Sequence, residues 1–355
     1  MCRGESRARL VTNMPLLCNL TFGSASVLAS PEAAAPFFLS LWARATRKFS
    51  YDLTFSCTLV RVLAFLCATL LSTQSLFAQT PAATPAPGAL AEVAITQLSD
   101  RQVTALGRTA LSIRPRDWKH AETANFVYHF FQSFIATPVS VEAEYYYRVI
   151  AAELGRETGQ WERKGHIFIF ERTEDWAEFQ RQGSLDPWTG GIHAGGELFL
   201  QRNPELRWKG STLGHEVAHL VVHRFFGAGV PLWLNEGYAE YAASRGHASF
   251  HRARGYRARP NSGAVDPARF VGLAVLTEAV GYPVQVEEVA TFYNESERLV
   301  RFLSAASKTG FGAMFEALSK GNRFETALAK GFGSRFASVD ALEREFRPYA
   351  TGEGE

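Results

Sequence analysis

Two histidines four residues apart bracket a carboxylate in the run Gly214-His215-Glu216-Val217-Ala218-His219. The run reads H-E-x-x-H and lies in an apolar stretch from Thr212 to Phe226 whose pattern predicts a helix. On a helix, residues i and i+4 share a face about one turn apart, so His215 and His219 can both turn their imidazoles to one metal ion. Glu216 then stands beside that ion, placed to take a proton from a water the ion acidifies. Imidazole nitrogen suits zinc, and catalytic zinc sites use three protein ligands and keep one position for water. One Zn2+ per chain is the expectation.

A third ligand is offered downstream, in Pro231-Leu232-Trp233-Leu234-Asn235-Glu236-Gly237-Tyr238-Ala239-Glu240-Tyr241. The intervening Phe226-Gly227-Ala228-Gly229-Val230 suits a reversal, because glycine ends helices and proline fits the first turn of the next one. A second helix can thus return under the first and bring Glu236 to the two histidines. Glu240, one turn further on the same face, can orient a ligating imidazole. His223 competes for the third position, but about 12 Å of helix rise separates it from His215, too far for one straight helix. It reads instead as a histidine near a helix end. The longer metzincin pattern, with glycine and a third histidine at fixed offsets past His219, is absent.

With Trp233-Leu234-Asn235-Glu236-Gly237-Tyr238-Ala239 following H-E-x-x-H, the sequence resembles the gluzincin metallopeptidases. The sixteen residues between His219 and Glu236 are close to the spacing of the aminopeptidase N type. Closer still are the bacterial peptidase MA-like domains, which carry a similar P-x-W-x-x-E-G-x-A-E-Y segment. The likeness covers residues 120–350, with Phe292 to Leu303 resembling a tyrosine-led helix and Gly310 to Gly333 the closing helices. The resemblance implies a zincin-like α+β fold and hydrolysis of peptide bonds by a water that Glu216 deprotonates. It also implies that Tyr293, opening the later helix, donates to the oxyanion of the tetrahedral intermediate, a contact that favours the transition state over the ground state. The other reading of Tyr293 is a tyrosine that packs its ring and hydrogen bonds at a helix start. Tyr238, Tyr256 and Tyr282 are weaker candidates for the oxyanion role.

Aminopeptidases of this kind carry a G-x-M-E-N segment upstream that binds the free amino group of the substrate. This chain has none, which tells against aminopeptidase activity. The corresponding region runs from Trp188 to Leu200 and contains Gly190-Gly191-Ile192-His193-Ala194-Gly195-Gly196. Two readings stay open there. An edge strand can pair with an extended peptide, with Gly195 and Gly196 allowing close backbone approach. Equally, the segment is an ordinary hairpin with Gly195-Gly196 as its turn. His193 could touch substrate, though a lone strand histidine is more often structural.

The elements that must carry these groups follow from periodicity and breakers. A strand is expected near Asn125 to Phe131, a helix near Val141 to Leu154, a strand from His166 to Glu171 and a short helix from Glu174 to Gln180. The 188–201 hairpin, the H-E-x-x-H helix and the Glu236 helix come next, and Pro267 to Tyr349 is mostly helical. Strands first and helices last predict an α+β domain over residues 91–350, with a sheet-bearing amino-terminal lobe, a helical carboxy-terminal lobe and the metal in the cleft between them. His129 and His166 are expected to pack within their strands. No internal repeat is present.

The first part of the 355-residue chain is organised differently. Arg61 precedes an apolar run over 62–78 that ends Leu76-Phe77-Ala78, which reads as a signal peptide cut after Ala78. Ser72, Thr73, Gln74 and Ser75 interrupt the run and disfavour a membrane span, while Leu66 before Cys67 disfavours a lipoprotein cut. Residues 1–59 make such a leader far too long. Initiation at Val60 would give a compact export signal, with the upstream segment a mis-assigned extension. Residues 79–90 are a Pro/Ala-rich linker.

All four cysteines precede Ala78, so the exported chain needs no disulfide and has no thiol nucleophile or ligand. Residues 1–78 hold seven Lys/Arg and three Asp/Glu, which leaves thirty basic and thirty-two acidic residues, a net of −2, and no basic footprint for nucleic acid. The chain is thus expected to be periplasmic or secreted, or anchored if the leader stays uncleaved, and to act on a peptide or protein. The competing reading is a non-catalytic module that binds peptides or cell-envelope components on the same fold. The intact Glu216 argues for the enzyme, since a binding module has no need of a base.

Overall fold

Short runs between residues 119 and 201 build one mixed sheet in the computed structural model, which describes residues 90–159, 163–187, 189–202, 212–253, 255 and 263–353. The leader, its cleavage point and nearly all of the linker lie outside the described residues. The strands are β1 (Lys119–Glu122), β2 (Phe126–Phe130), β3 (Gly165–Phe170), β4 (Gly191–Ala194) and β5 (Glu197–Gln201), in the order β1-β2-β3-β5-β4. β1 is antiparallel to β2 and β4 to β5, whereas β2, β3 and β5 run parallel. β2 and β3 are buried along their whole length, as expected for strands covered on both faces. Tyr128, Ile167, Ile169, Leu198 and Leu200 belong to the larger core, while Phe168, Phe170, Ile192 and Phe199 belong to a second cluster with Trp118, Trp176 and Phe179.

The helices are α1 (Ala105–Ser112), α2 (Ser133–Glu153), α3 (Thr173–Gly183), α4 (Thr212–Phe226) and α5 (Leu232–Arg252), then α6 (Leu273–Glu278), α7 (Val286–Ala306), α8 (Lys308–Ser319), α9 (Phe324–Phe332) and α10 (Val339–Thr351). α3 covers the second cluster through Trp176 and Phe179, and α2 and α4 contribute to the larger core. This is an α+β architecture in which, among the described residues, all strands precede residue 202 and the elements that follow are helical. Trp233, fully buried at the start of α5, meets Phe324 of α9 edge-on with ring centroids 5.6 Å apart. Truncating such a side chain to alanine costs about 3–5 kcal/mol, so the closing helices help to hold α5 in place. Among the described residues no helix is long and apolar enough to cross a membrane.

Four elements differ from expectation. α2 begins at Ser133 rather than Val141, with Pro138 inside it. Proline there removes one backbone hydrogen bond, but Ile135, Ala136 and Val139 are buried on the turns around it and hold them in place. α1 and β1 were not expected, because both are short and Lys-His-Ala-Glu has no apolar alternation; β1 is held by its pairing with β2, His120 opposite His129. Finally, α7 starts at Val286, so Tyr293 sits two turns inside it rather than at its opening. Glu287 and Glu288 favour that start by lying in the first turn, where the helix dipole attracts negative charge.

Candidate metal centre

α4 ends where Gly227 adopts φ of +76°, a left-handed conformation that glycine reaches without steric cost. A 3-10 turn over Gly227–Gly229 follows, and Pro231 stands at the N-cap of α5. α5 therefore runs back along α4. At the turn of α5 that carries Glu236, a Cβ on Gly237 would lie 2.5 Å from the carbonyl oxygen of Ser296 in α7. Only glycine permits that approach, which packs α5 and α7 backbone to backbone beside the site.

These contacts bring three ligand atoms together. His215 Nε2 lies 2.9 Å from His219 Nε2, and both lie 3.4 Å from Glu236 Oε2. All three residues are buried and form a group that could hold a metal ion. Tetrahedral zinc with bonds of about 2.0–2.1 Å spaces its ligand atoms roughly 3.3 Å apart. Glu236 Oε2 is buried and makes no hydrogen bond. Glu216 and Glu240 are also buried, and buried carboxylates need a compensating cation. Spacing, donor type and charge thus all fit a zinc ion. Burial disfavours the charged form of His215, but Glu236, Glu240 and Glu216 overcome it and carry the imidazole well above the ordinary histidine range. Burial would likewise raise Glu236, yet His219 and His215 hold it far below the usual carboxylate range.

Other side chains orient the ligands. Glu240 Oε1 comes within 3.0 Å of His215 Nδ1, a close contact rather than an aligned hydrogen bond. Asn235 Oδ1 lies 3.1 Å from His219 Nδ1. An N–H held at Nδ1 would leave Nε2 free for a metal ion. The Tyr282 hydroxyl donates to Glu236 Oε1 at 2.6 Å. Tyr293 stacks on Tyr282 with ring centroids 6.0 Å apart and lies 6.3 Å from the His215 ring, and its buried hydroxyl makes no hydrogen bond. Burial and then the nearby Glu236 charge push both phenols upward, so both stay protonated donors. Tyr238 is in the core against Phe311 and Phe315, away from the ligands. Tyr256 lies outside the described residues.

β4 runs along α4. Residues 191 and 193 share one face of the strand. A Cβ on Gly191 would lie 2.7 Å from Glu216 Oε1 and 2.8 Å from Thr212 Cγ2, so a glycine here leaves room for the Glu216 carboxylate. The ring of His193 lies 6.2 Å from that of His219 and 5.6 Å from that of His223, and its Nε2 is buried without a hydrogen bond. Burial, then His219 and His223, hold His193 well below the ordinary histidine range, and hence neutral. Gly195 and Gly196 form the β4–β5 turn with φ of +59° and +89°, the hairpin arrangement. His223 is exposed near the end of α4, outside the ligand group. Asn235, Gly191 and the contact from Tyr282 were not singled out from the sequence. Asn235 stood in plain view beside Glu236, and its position one residue before the ligand was the available signal.

No protein-family model matches this chain, and no curated protein matches it.

Proposed function

We propose that this chain is a zinc-dependent metallopeptidase of the gluzincin type, built on a zincin-like fold, that hydrolyses peptide bonds. The observation that carries the reading is the convergence of His215, His219 and Glu236 from two helices, with the non-ligand carboxylate Glu216 buried between the ligand helix and β4. A zinc ion held by the three ligands would polarise a peptide carbonyl and acidify an attacking water. Glu216 takes the proton from that water and passes it to the leaving nitrogen. Tyr293, a protonated phenol whose hydroxyl makes no aligned hydrogen bond, donates to the negative charge that develops on the carbonyl oxygen. Asn235 and Glu240 hold the imidazoles while this happens. β4 is the last strand of the sheet, so its outer edge offers backbone groups to an extended peptide passing the ligands. The leader and the cysteine-free remainder support export to the periplasm or beyond.

Metal analysis together with Glu216→Gln tests this reading. The folded protein is expected to hold about one zinc per chain and to cleave members of a peptide library. Glu216→Gln keeps the metal and loses about 10²–10⁴-fold in turnover. Equal turnover by both proteins overturns the assignment of the base. A folded protein that takes up no zinc overturns the metallopeptidase, and a peptide-binding module becomes the better reading.

A further inference from the structure

A cavity of about 750 Å³ opens on the His219 side of the metal centre. Its walls come from His219 and Asn235, from the end of β4, from the α4–α5 connection and from the end of α6. Val222, Val230, Leu232 and Ala279 make much of the lining apolar, and no lysine or arginine contributes to it. The single carboxylate is Glu278, the last residue of α6. Glu278 is exposed and makes no ion pair or hydrogen bond among the described residues. A carboxylate at the carboxy-terminal end of a helix opposes the dipole there, so local helix stability does not account for it.

We propose that this cavity is the subsite for a substrate side chain flanking the scissile bond, and that it selects lysine or arginine. The methylene stem of either residue lies along Val222, Val230, Leu232 and Ala279, and the cationic head reaches Glu278 at the rim, as long basic side chains do when they bury their stems and keep their charge in water. An acidic side chain meets both the apolar wall and like charge, and is excluded. The volume is that of an ordinary small-ligand site and leaves room for part of the peptide backbone beside the stem. This assignment rests on the peptidase reading above.

The test compares kcat/KM for peptides that differ only at the residue flanking the cut, carrying lysine, arginine, norleucine or glutamate. Norleucine keeps the stem and lacks the charge. An exposed charge contact predicts about fivefold preference for lysine over norleucine, with glutamate poorer than both. Glu278→Gln erases the lysine preference, and Glu278→Lys makes glutamate the better substrate. The same peptides are titrated into zinc-loaded Glu216→Gln, with and without Glu278→Lys, by fluorescence anisotropy. Preferences that ignore Glu278 in cleavage and in binding, including a plain preference for phenylalanine, overturn the assignment. Binding that follows Glu278 without any cleavage keeps the cavity and removes the peptidase. Neither binding nor cleavage removes both.

Discussion

Tyr282 and Glu236 are joined by a 2.6 Å hydrogen bond from the phenol to Oε1, while Oε2 of the same carboxylate faces both Nε2 atoms at 3.4 Å. One oxygen is committed to the protein and the other to the ligand group. A carboxylate held this way presents one ligand atom instead of two, which preserves a coordination position for water. Tyr282 lies between α6 and α7, so a segment outside the α4–α5 pair orients Glu236, the proposed third ligand. Tyr282→Phe keeps the ring stacked on Tyr293 and removes only the donor. Zinc affinity is expected to fall about 10–100-fold, measured by competition with a chromophoric chelator. Unchanged affinity would mean that α5 alone orients Glu236.

Gly191 and Glu216 make the second prediction. A methyl group at 191 would press on Glu216 Oε1 and on Thr212 Cγ2, so the carboxylate is displaced and the strand and the start of α4 must also give. Misplacing a catalytic group by about 1 Å can cost on the order of 10²-fold in rate. Gly191→Ala is therefore expected to lower kcat by one to two orders of magnitude, roughly, with zinc content unchanged because no ligand is touched. Wild-type kcat in this variant would show that Glu216 is not the base or has another place to stand.

Tyr293 separates two roles by a single oxygen. Its ring is held by Tyr282 and by Phe292, whatever the hydroxyl does. Tyr293→Phe is expected to retain metal and thermal stability and to lose about 10²–10³-fold in kcat, the usual worth of one oxyanion donor. A phenylalanine variant with wild-type kcat would make Tyr293 a packing residue.

The parts of this site that were legible in the sequence are those set by local pattern. α4 spans Thr212–Phe226 as its periodicity and closing glycine indicate, and Glu236 and Glu240 follow one turn apart on α5. What escaped notice is set by tertiary contact. Tyr282 reaches Glu236 across 46 residues from a stretch with no periodicity. Gly191 matters because a strand packs tightly on Glu216, which no neighbour in sequence reveals. The order of the sheet is hidden for the same reason: the β4–β5 hairpin is a local feature, but that β5 rather than β4 pairs with β3 is decided by packing. Pro138 concealed the first turns of α2, whose buried face outweighs one lost hydrogen bond.

A row of imidazoles spans β1, β2 and β3 and is expected to make stability depend on pH. His120 Nδ1 lies 2.8 Å from His129 Nδ1, His129 Nε2 lies 3.0 Å from His166 Nδ1, and His166 Nε2 lies 3.8 Å from Asp100 Oδ1. A neutral imidazole supplies one donor and one acceptor, so both histidine–histidine contacts can form while the row is uncharged, whereas His166 Nε2 is buried without a hydrogen bond. Burial holds all three histidines below the ordinary range, His166 at about 4. The folded pKa is lower than the unfolded one, near 6.5, so the unfolded chain binds more protons between those values and stability rises with pH across that window. The contribution is complete above about pH 7 and is lost as the pH falls from about 6.5 towards 4. For His166 alone it amounts to about 2 kcal/mol at pH 5, or roughly 4–8 °C in Tm for a domain of this size. His166→Gln keeps an acceptor and a donor in the row but cannot titrate. Between pH 7.5 and 5 the wild type should lose more Tm than the variant by about that amount; groups outside the row cancel in the difference, whereas His129, which His166 helps to lower, shifts with the substitution. Parallel pH slopes for the two proteins would show that His166 titrates in the folded state as it does in the unfolded chain.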